Sequence, residues 1–371
     1  MLSPERNFML SGGALKTALA SELDGLRRAA KRPDYRSNLA LLETYIDDMD
    51  SVAQGAPFSR LDGMPRNTRI IDFPKAQPKI KSRLFFSHIA ACIVLLEHHT
   101  LSPEELRVGI TNHKANQILD LAERNPEVRR NLMQRLTGMD AVRTNMLLRA
   151  LGLITRKPSA IRQLGLGVAS GAKDIRFFHL YPILARQATS EDHYLYTLNT
   201  IHQAAHDIVI NDLDPRHEAA FKNYEKLGSP AVKGYICDTQ EALVRLAEDD
   251  IPKRNLVTML RMEPAMIRDS REFLRHLSRT IERDCDFVFT IGSGDNPDAY
   301  RHRVRRISDL FEKFDAAGLD PVLIRLHKGG TIMQQARSLQ FGSGAAASYE
   351  ILYCRLDPEK LTELLVRDQK K

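Results

Sequence analysis

One stretch limits what this chain can become: Ile161-Arg-Gln-Leu-Gly-Leu-Gly-Val-Ala-Ser-Gly171, followed after an interval by Asp207-Ile-Val-Ile-Asn-Asp212. A short apolar run enters a glycine-rich turn, and a second apolar run ends in a carboxylate. Gly165, Gly167 and Gly171 carry no Cβ, so backbone N–H groups of the turn can approach a nucleotide-like ligand closely. The carboxylate that ends the next strand can accept hydrogen bonds from the two ribose hydroxyls of such a ligand. A glycine turn alone also serves ordinary strand–helix packing. The ordered strands behind it make the difference.

Strands are predicted at 161–166, 207–212, 232–237, 255–260, 286–291, 320–327 and 348–356. Helices are predicted at 216–227, 239–248, 270–284 and 297–317. This alternation is that of a doubly wound α/β sheet. The last two strands have no helical pattern between them; their link, residues 328–347, carries Gly329, Gly330, Gly342 and Gly344. The interval from Gly171 to Asp212 is longer than a simple strand–helix–strand unit needs, so residues 186–204 are read as an additional helix in the crossover.

Residues 1–158 read differently, with helical periodicity and no convincing strand. Leu39, Leu42, Tyr45, Ile46, Met49 and Val52 recur at helical spacing, and residues 82–98 are apolar nearly all round. Between them, residues 54–81 are rich in Gly, Pro and Arg and read as a long surface connection. Ser102-Pro-Glu-Glu105 supplies a helix start, and a helix over 140–151 stops at Gly152. This half reads as an all-helical cap domain.

Composition narrows the class. With 371 residues the chain can form one large domain with a cap, or two domains. No apolar run reaches the length of a membrane span and the N-terminus lacks a signal pattern, so a cytoplasmic protein is expected. Cys92, Cys237, Cys285 and Cys354 contain no CxxC pair and read as reduced core thiols, so neither a metal site nor a disulfide frame is expected. The net charge of +7 permits a polyanionic partner without demanding one.

Residues 159–357 resemble a class I S-adenosylmethionine (SAM)-dependent methyltransferase. The family's glycine loop is matched by Gly165, Gly167 and Gly171, and its acid after strand two by Asp212. Its polar pair after strand three is matched by Asp238 and Thr239, and its segment after strand four by Arg261-Met-Glu-Pro-Ala-Met266. The acid usual just before the glycine loop is absent; Gln163 and Leu164 stand there. The resemblance implies a seven-stranded Rossmann-like methyltransferase sheet over 159–371, with the N-terminal helical domain over 1–158 enclosing the substrate. It implies S-adenosyl-L-methionine as cofactor, held by Gly165, Gly167, Ser170, Gly171, Asp212, Leu213, Asp238, Thr239, Arg261 and Met262. Asp212 has a competing reading as a helix cap, which Asp214 fills as well or better, and Asp238 serves equally as a cap.

SAM already carries a good leaving group, so the protein mainly aligns the reactants and excludes water. A hydroxyl or protonated amine acceptor must also lose a proton. Glu263, after strand four, is the first candidate for that step, with His179 and Tyr181 of the crossover beside it. Pro264 does not reproduce the tetrad of the adenine and glutamine amino methyltransferases, and no cysteine has the setting of a cytosine-C5 nucleophile. The leading expectation is a small-metabolite methyltransferase with no nucleic-acid or membrane partner. Two others stay open: transfer or cyclisation of SAM's aminocarboxypropyl arm, and an RNA methyltransferase with the helical domain as RNA-binding module. The oligomeric state is open, a homodimer among the options.

Overall fold

The computed structural model describes residues 151–157, 160–169, 207–226, 231–260, 269–292, 297–327 and 348–369, with Asp174, Ile267, two short strands and scattered single positions of the N-terminal half. Its strands are β1 (Phe58–Ser59), β2 (Arg69–Asp72), β3 (Arg162–Leu166), β4 (Asp207–Asp212), β5 (Ala231–Ile236), β6 (Arg254–Leu260), β7 (Ile281–Gly292), β8 (Val322–His327) and β9 (Ser348–Leu356). Its continuous helices are α1 (Glu218–Glu225), α2 (Thr239–Glu248), α3 (Ser270–Thr280), α4 (Pro297–Ala316) and α5 (Pro358–Gln369).

One sheet contains all nine strands, in the order β1-β2-β8-β9-β7-β6-β3-β4-β5. Strands β3 to β7 are parallel, and β9 runs antiparallel between β7 and β8. These seven, with their flanking helices, make the mixed Rossmann-like sheet that the resemblance implies. Every residue of β6 is buried, polar Arg254, Asn255 and Thr258 included, as are four of five in β3, because these inner strands are covered on both faces. Edge strand β5 instead alternates, with exposed Ala231 and Lys233 flanking buried Val232. The core joins Leu164, Val257, Phe287, Leu323 and Leu352 of the sheet to Leu243, Phe273, Phe311, Phe314 and Leu361 of the helices. Phe287 and Phe314 meet edge to face at 5.3 Å. Each such side chain contributes about 1.5–3 kcal/mol by leaving water.

Three expectations need correction. Residues 1–158 are not purely helical: β1 pairs antiparallel with β2, and β2 pairs parallel with β8 from Arg69↔Val322 to Asp72↔Arg325. The sheet therefore starts well before residue 159 and has nine strands among the described residues. Arg69-Ile-Ile-Asp72 is too short to show a period, and its Gly/Pro/Arg-rich surroundings read as a loop. Next, α3 ends at Thr280, and 281–285 belong to β7. Asp284 sits at φ +60° and the β6–β7 register shifts between Arg254 and Leu256, so an irregularity carries the strand through a polar stretch. Finally, α5 follows β9 unforeseen, although Asp357 accepts from the Glu359 N–H at 2.9 Å and Pro358 stands at its first position.

The helix expected over 140–151 is helical at Ala141, Thr144, Asn145, Leu148 and Arg149, all buried and all on one face, and has given way to a turn at Leu151. It stops as expected, with Gly152 at φ +67° and the Leu153 N–H donating to the Leu148 carbonyl at 2.9 Å. The helices expected over 39–52, 82–98 and 186–204 lie outside the described residues, single positions apart.

Polar contacts clasp the segment after this helix to the sheet. Arg156 donates to the Asp284 carbonyl at 2.7 Å and to Asp286 Oδ2 at 3.0 Å. The Tyr353 hydroxyl lies 2.7 Å from Asp286 Oδ1 and 2.9 Å from the Leu153 carbonyl, to which Arg355 also donates at 2.8 Å. Burial raises the Asp286 carboxyl above the ordinary carboxylate range, against the pull of Tyr353 and Arg156.

Candidate functional site

Strand order reverses at β3: the chain passes from β3 to β4 and β5 on one side, then crosses to β6 on the other. In open α/β sheets, ligands bind outside the carboxyl ends of the strands at such a switch point. The residues collected at that edge of β3, β4 and β5 form the candidate site.

Gly165 is still within β3, and what its missing side chain provides is space. A Cβ there would stand 2.8 Å from Val168 Cγ1 and 2.8 Å from Asp174 Oδ1. Gly167 opens the turn at φ +63°, where other residues are strained, and Ala169 follows at φ +55°. Two hydrogen bonds fix this turn to the end of β4. The Val168 N–H donates to the Asn211 carbonyl at 3.1 Å, and the Ala169 N–H donates to Asp212 Oδ2 at 2.6 Å.

Asp212 is nearly buried, 8% exposed, and its Oδ1 accepts from the Asp214 N–H at 2.9 Å. It caps no helix. Asp214 does that, accepting from the Arg216 N–H at 3.0 Å, and its pairing with the Arg216 side chain pulls its carboxyl down to about 2. Among the described residues each Asp212 oxygen accepts a single bond, so a second lone pair lets the carboxylate hold the turn and still accept from a ligand. The next residue, Leu213, is 52% exposed, unusual for a large aliphatic side chain beside a buried strand end.

After β5, Asp238 caps α2 by accepting from the Gln240 N–H at 2.9 Å. The Thr239 hydroxyl is buried and donates to Asn211 Oδ1 at 3.5 Å. Asn211 in turn donates to the Cys237 carbonyl at 2.8 Å, and the Cys237 N–H donates to the Asp212 carbonyl at 3.0 Å. These bonds hold the ends of β4 and β5 at a fixed spacing.

Under the glycine turn lies a polar group that sequence reasoning missed. Gln163 donates from Nε2 to Thr258 Oγ1 at 3.0 Å and to the Asp174 carbonyl at 3.1 Å. The Thr258 hydroxyl donates to Asp174 Oδ1. All three residues are fully buried, and Gln163 Oε1 has no hydrogen-bond partner among the described residues. Nothing in the sequence marks Asp174, because its role depends on contacts with β3 and β6.

Gly165, Gly167, Asp212, Leu213, Asp238 and Thr239 thus gather at one edge of the sheet. Ser170, Gly171, His179, Tyr181, Arg261, Met262 and Glu263 lie outside the described residues; β6 reaches that same edge at Leu260, just before Arg261. Burial raises the Cys237 thiol, and raises Cys285 and Cys354 well above the ordinary value, so none is a ready nucleophile. Among the described residues, no group of three or more His, Cys, Asp or Glu could hold a metal, and no helix is long and apolar enough to cross a membrane.

No family model matches the sequence, and no curated protein matches it. Solved structures do resemble it in outline. A putative O-methyltransferase from Klebsiella pneumoniae is 12% identical, with TM-score 0.34, over 72% of this chain and 90% of its own. The O-methyltransferase from Bacillus cereus, in complex with SAH, is 12% identical, with TM-score 0.34, over 59% of this chain and 90% of its own. Spermidine synthase from Thermotoga maritima is 15% identical, with TM-score 0.30, over 55% of this chain and 56% of its own.

Proposed function

We propose that this chain is a SAM-dependent methyltransferase acting on a small-molecule metabolite. The observation that supports this best is the Asp212 carboxylate at the end of β4, bonded to a left-handed glycine turn and flanked by exposed Leu213, at a switch point. These residues fit SAM. The turn has room for close approach, Asp212 has acceptors for the ribose hydroxyls, and Leu213 offers an apolar face for the adenine ring. Asp238, on the neighbouring strand end, stands where an adenine amino group could be read.

When bound, SAM supplies an electrophilic methyl group on a sulfonium. The chain's own work is to align the acceptor with it and to exclude water. Glu263 is assigned the proton of a hydroxyl or amine acceptor, with His179 or Tyr181 orienting it. Those parts of residues 1–158 outside the sheet are assigned to enclosing the acceptor.

A second reading has one observation in its favour. Gln163 in place of an acid alters the grip on the methionine end, which suits transfer or cyclisation of the aminocarboxypropyl arm. Mass spectrometry after incubation with SAM and a metabolite extract separates the two. S-adenosylhomocysteine signals methyl transfer, and methylthioadenosine signals use of the arm. Neither product, together with no SAM binding by calorimetry, overturns both readings.

A further inference from the structure

We propose that Asn211 is a positioning residue whose side-chain amide sets the spacing between two halves of a nucleoside site, the Asp212 end of β4 and the Cys237–Thr239 segment after β5. This rests on the SAM reading, which puts the ribose on the first half and the adenine on the second. The residue type is itself informative. Ile208, Val209 and Ile210 are buried and apolar, and Asn211 is as deeply buried as they are. A buried amide costs stability unless its polar atoms are bonded, so its bonds are what distinguish it from one more aliphatic residue.

Those bonds fill a place that the backbone leaves open. The β4–β5 ladder pairs residue by residue from Asp207↔Ala231 to Asp212↔Ile236, and the Cys237 N–H then donates to the Asp212 carbonyl at 3.0 Å. In a parallel ladder the next rung would run from the Asp214 N–H to the Cys237 carbonyl. The Asp214 N–H instead donates to Asp212 Oδ1 at 2.9 Å as the chain leaves the sheet. Asn211 Nδ2 donates to the Cys237 carbonyl at 2.8 Å and to the Tyr235 carbonyl at 3.3 Å, so a side chain supplies the rung. Flipping the amide would set Oδ1 against carbonyls that cannot donate, which fixes its orientation. Oδ1 accepts from the Thr239 hydroxyl at 3.5 Å, and the Asn211 carbonyl accepts from the Val168 N–H at 3.1 Å. One residue thus bonds the glycine turn, the end of β5 and the first residue of α2.

Loss of the amide affects the two halves unequally. Asp212 keeps its own bonds to the Ala169 and Asp214 N–H groups. The Cys237 carbonyl loses its side-chain donor, and the segment that leads into α2 is released from β4. Discrimination of the base is therefore lost while the hold on the ribose persists.

The test uses calorimetry on the full chain to measure Kd for S-adenosylhomocysteine and for S-inosylhomocysteine, in which a carbonyl replaces the adenine amino group. N211L keeps the volume and removes the side-chain bonds. Its preference for the adenine compound is expected to fall by about fivefold, the change that one hydrogen bond carries. Equal weakening of both compounds, or a lower melting temperature with the preference unchanged, means that the amide is structural only and overturns the proposal. If N211L shows no cooperative melt, N211S decides, because its hydroxyl is too short to reach the Cys237 carbonyl. A similar fall in preference supports the proposal; an unchanged preference or an unfolded N211S overturns it. Wild type that binds neither compound removes the SAM reading and this inference with it. Wild type that binds both alike leaves the SAM reading standing and removes this inference alone.

Discussion

Asp212 performs two tasks that a ligand assay and a melting curve separate. Asp212→Ala removes the acceptor for the Ala169 and Asp214 N–H groups as well as any ribose contact. Its ligand affinity should fall by about 1.5–3 kcal/mol, the scale of a hydrogen bond to a charged group, as read by calorimetry with S-adenosylhomocysteine. Its melting temperature should fall too, because the turn loses its tie to β4. Unchanged affinity in a destabilised variant would leave Asp212 a structural residue only. Gly165→Ala tests the space beneath the turn: its Cβ would overlap Asp174 and Val168, so a loss of about 1–3 kcal/mol is expected in urea melts. Near-wild-type stability would mean that Asp174 can move aside. Asp212 and the glycines were legible in the sequence because turns and strand-end acids are local signals. Asp174 was not, since no local pattern tells a buried carboxylate from an exposed one.

Among elements, the clasp built on β7 and β9 makes a pH-dependent contribution. Asp286 has its carboxyl raised by burial, so in the unfolded chain it ionises at a lower pH than in the fold. Its contribution to stability is complete below the ordinary carboxylate pKa of 3.8 and declines as pH rises through the raised value. Asp286→Asn mimics the protonated form at every pH. The stability of wild type relative to this variant should therefore be greatest near pH 4 and smaller at pH 7, in urea melts at both. A relative stability that instead grows with pH would mean that Arg156 and Arg355 outweigh the cost of burial. Most of the elements themselves were legible: β4 and β9 match their expected bounds, and β3, β5 and β6 fall within one residue of theirs. Apolar runs bounded by turns explain that success. The helix after β9 was overlooked although Asp357 and Pro358 announced it, and the early start of β7 was hidden by its polar residues.

At the scale of the whole molecule, strands β1 and β2 mean that the sheet cannot be cut out at residue 159. A fragment of residues 159–371 would leave the β8 edge bare and discard Arg156 and Leu153. It should melt lower and scatter more light on heating than a fragment of residues 54–371. Equal melts would make the added strands ornamental. No sequence signal pointed to this, because the partner of Arg69-Ile-Ile-Asp72 lies at the other end of the chain. That separation also orders events in time. During synthesis β2 emerges early, yet its partner β8 is not made until most of the chain has left the ribosome, and a parallel pair so far apart carries a large loop-closure cost. Its docking is a late folding event, so in pulse-labelled hydrogen exchange the amides of Arg69–Asp72 should gain protection after those of β3, β4 and β6.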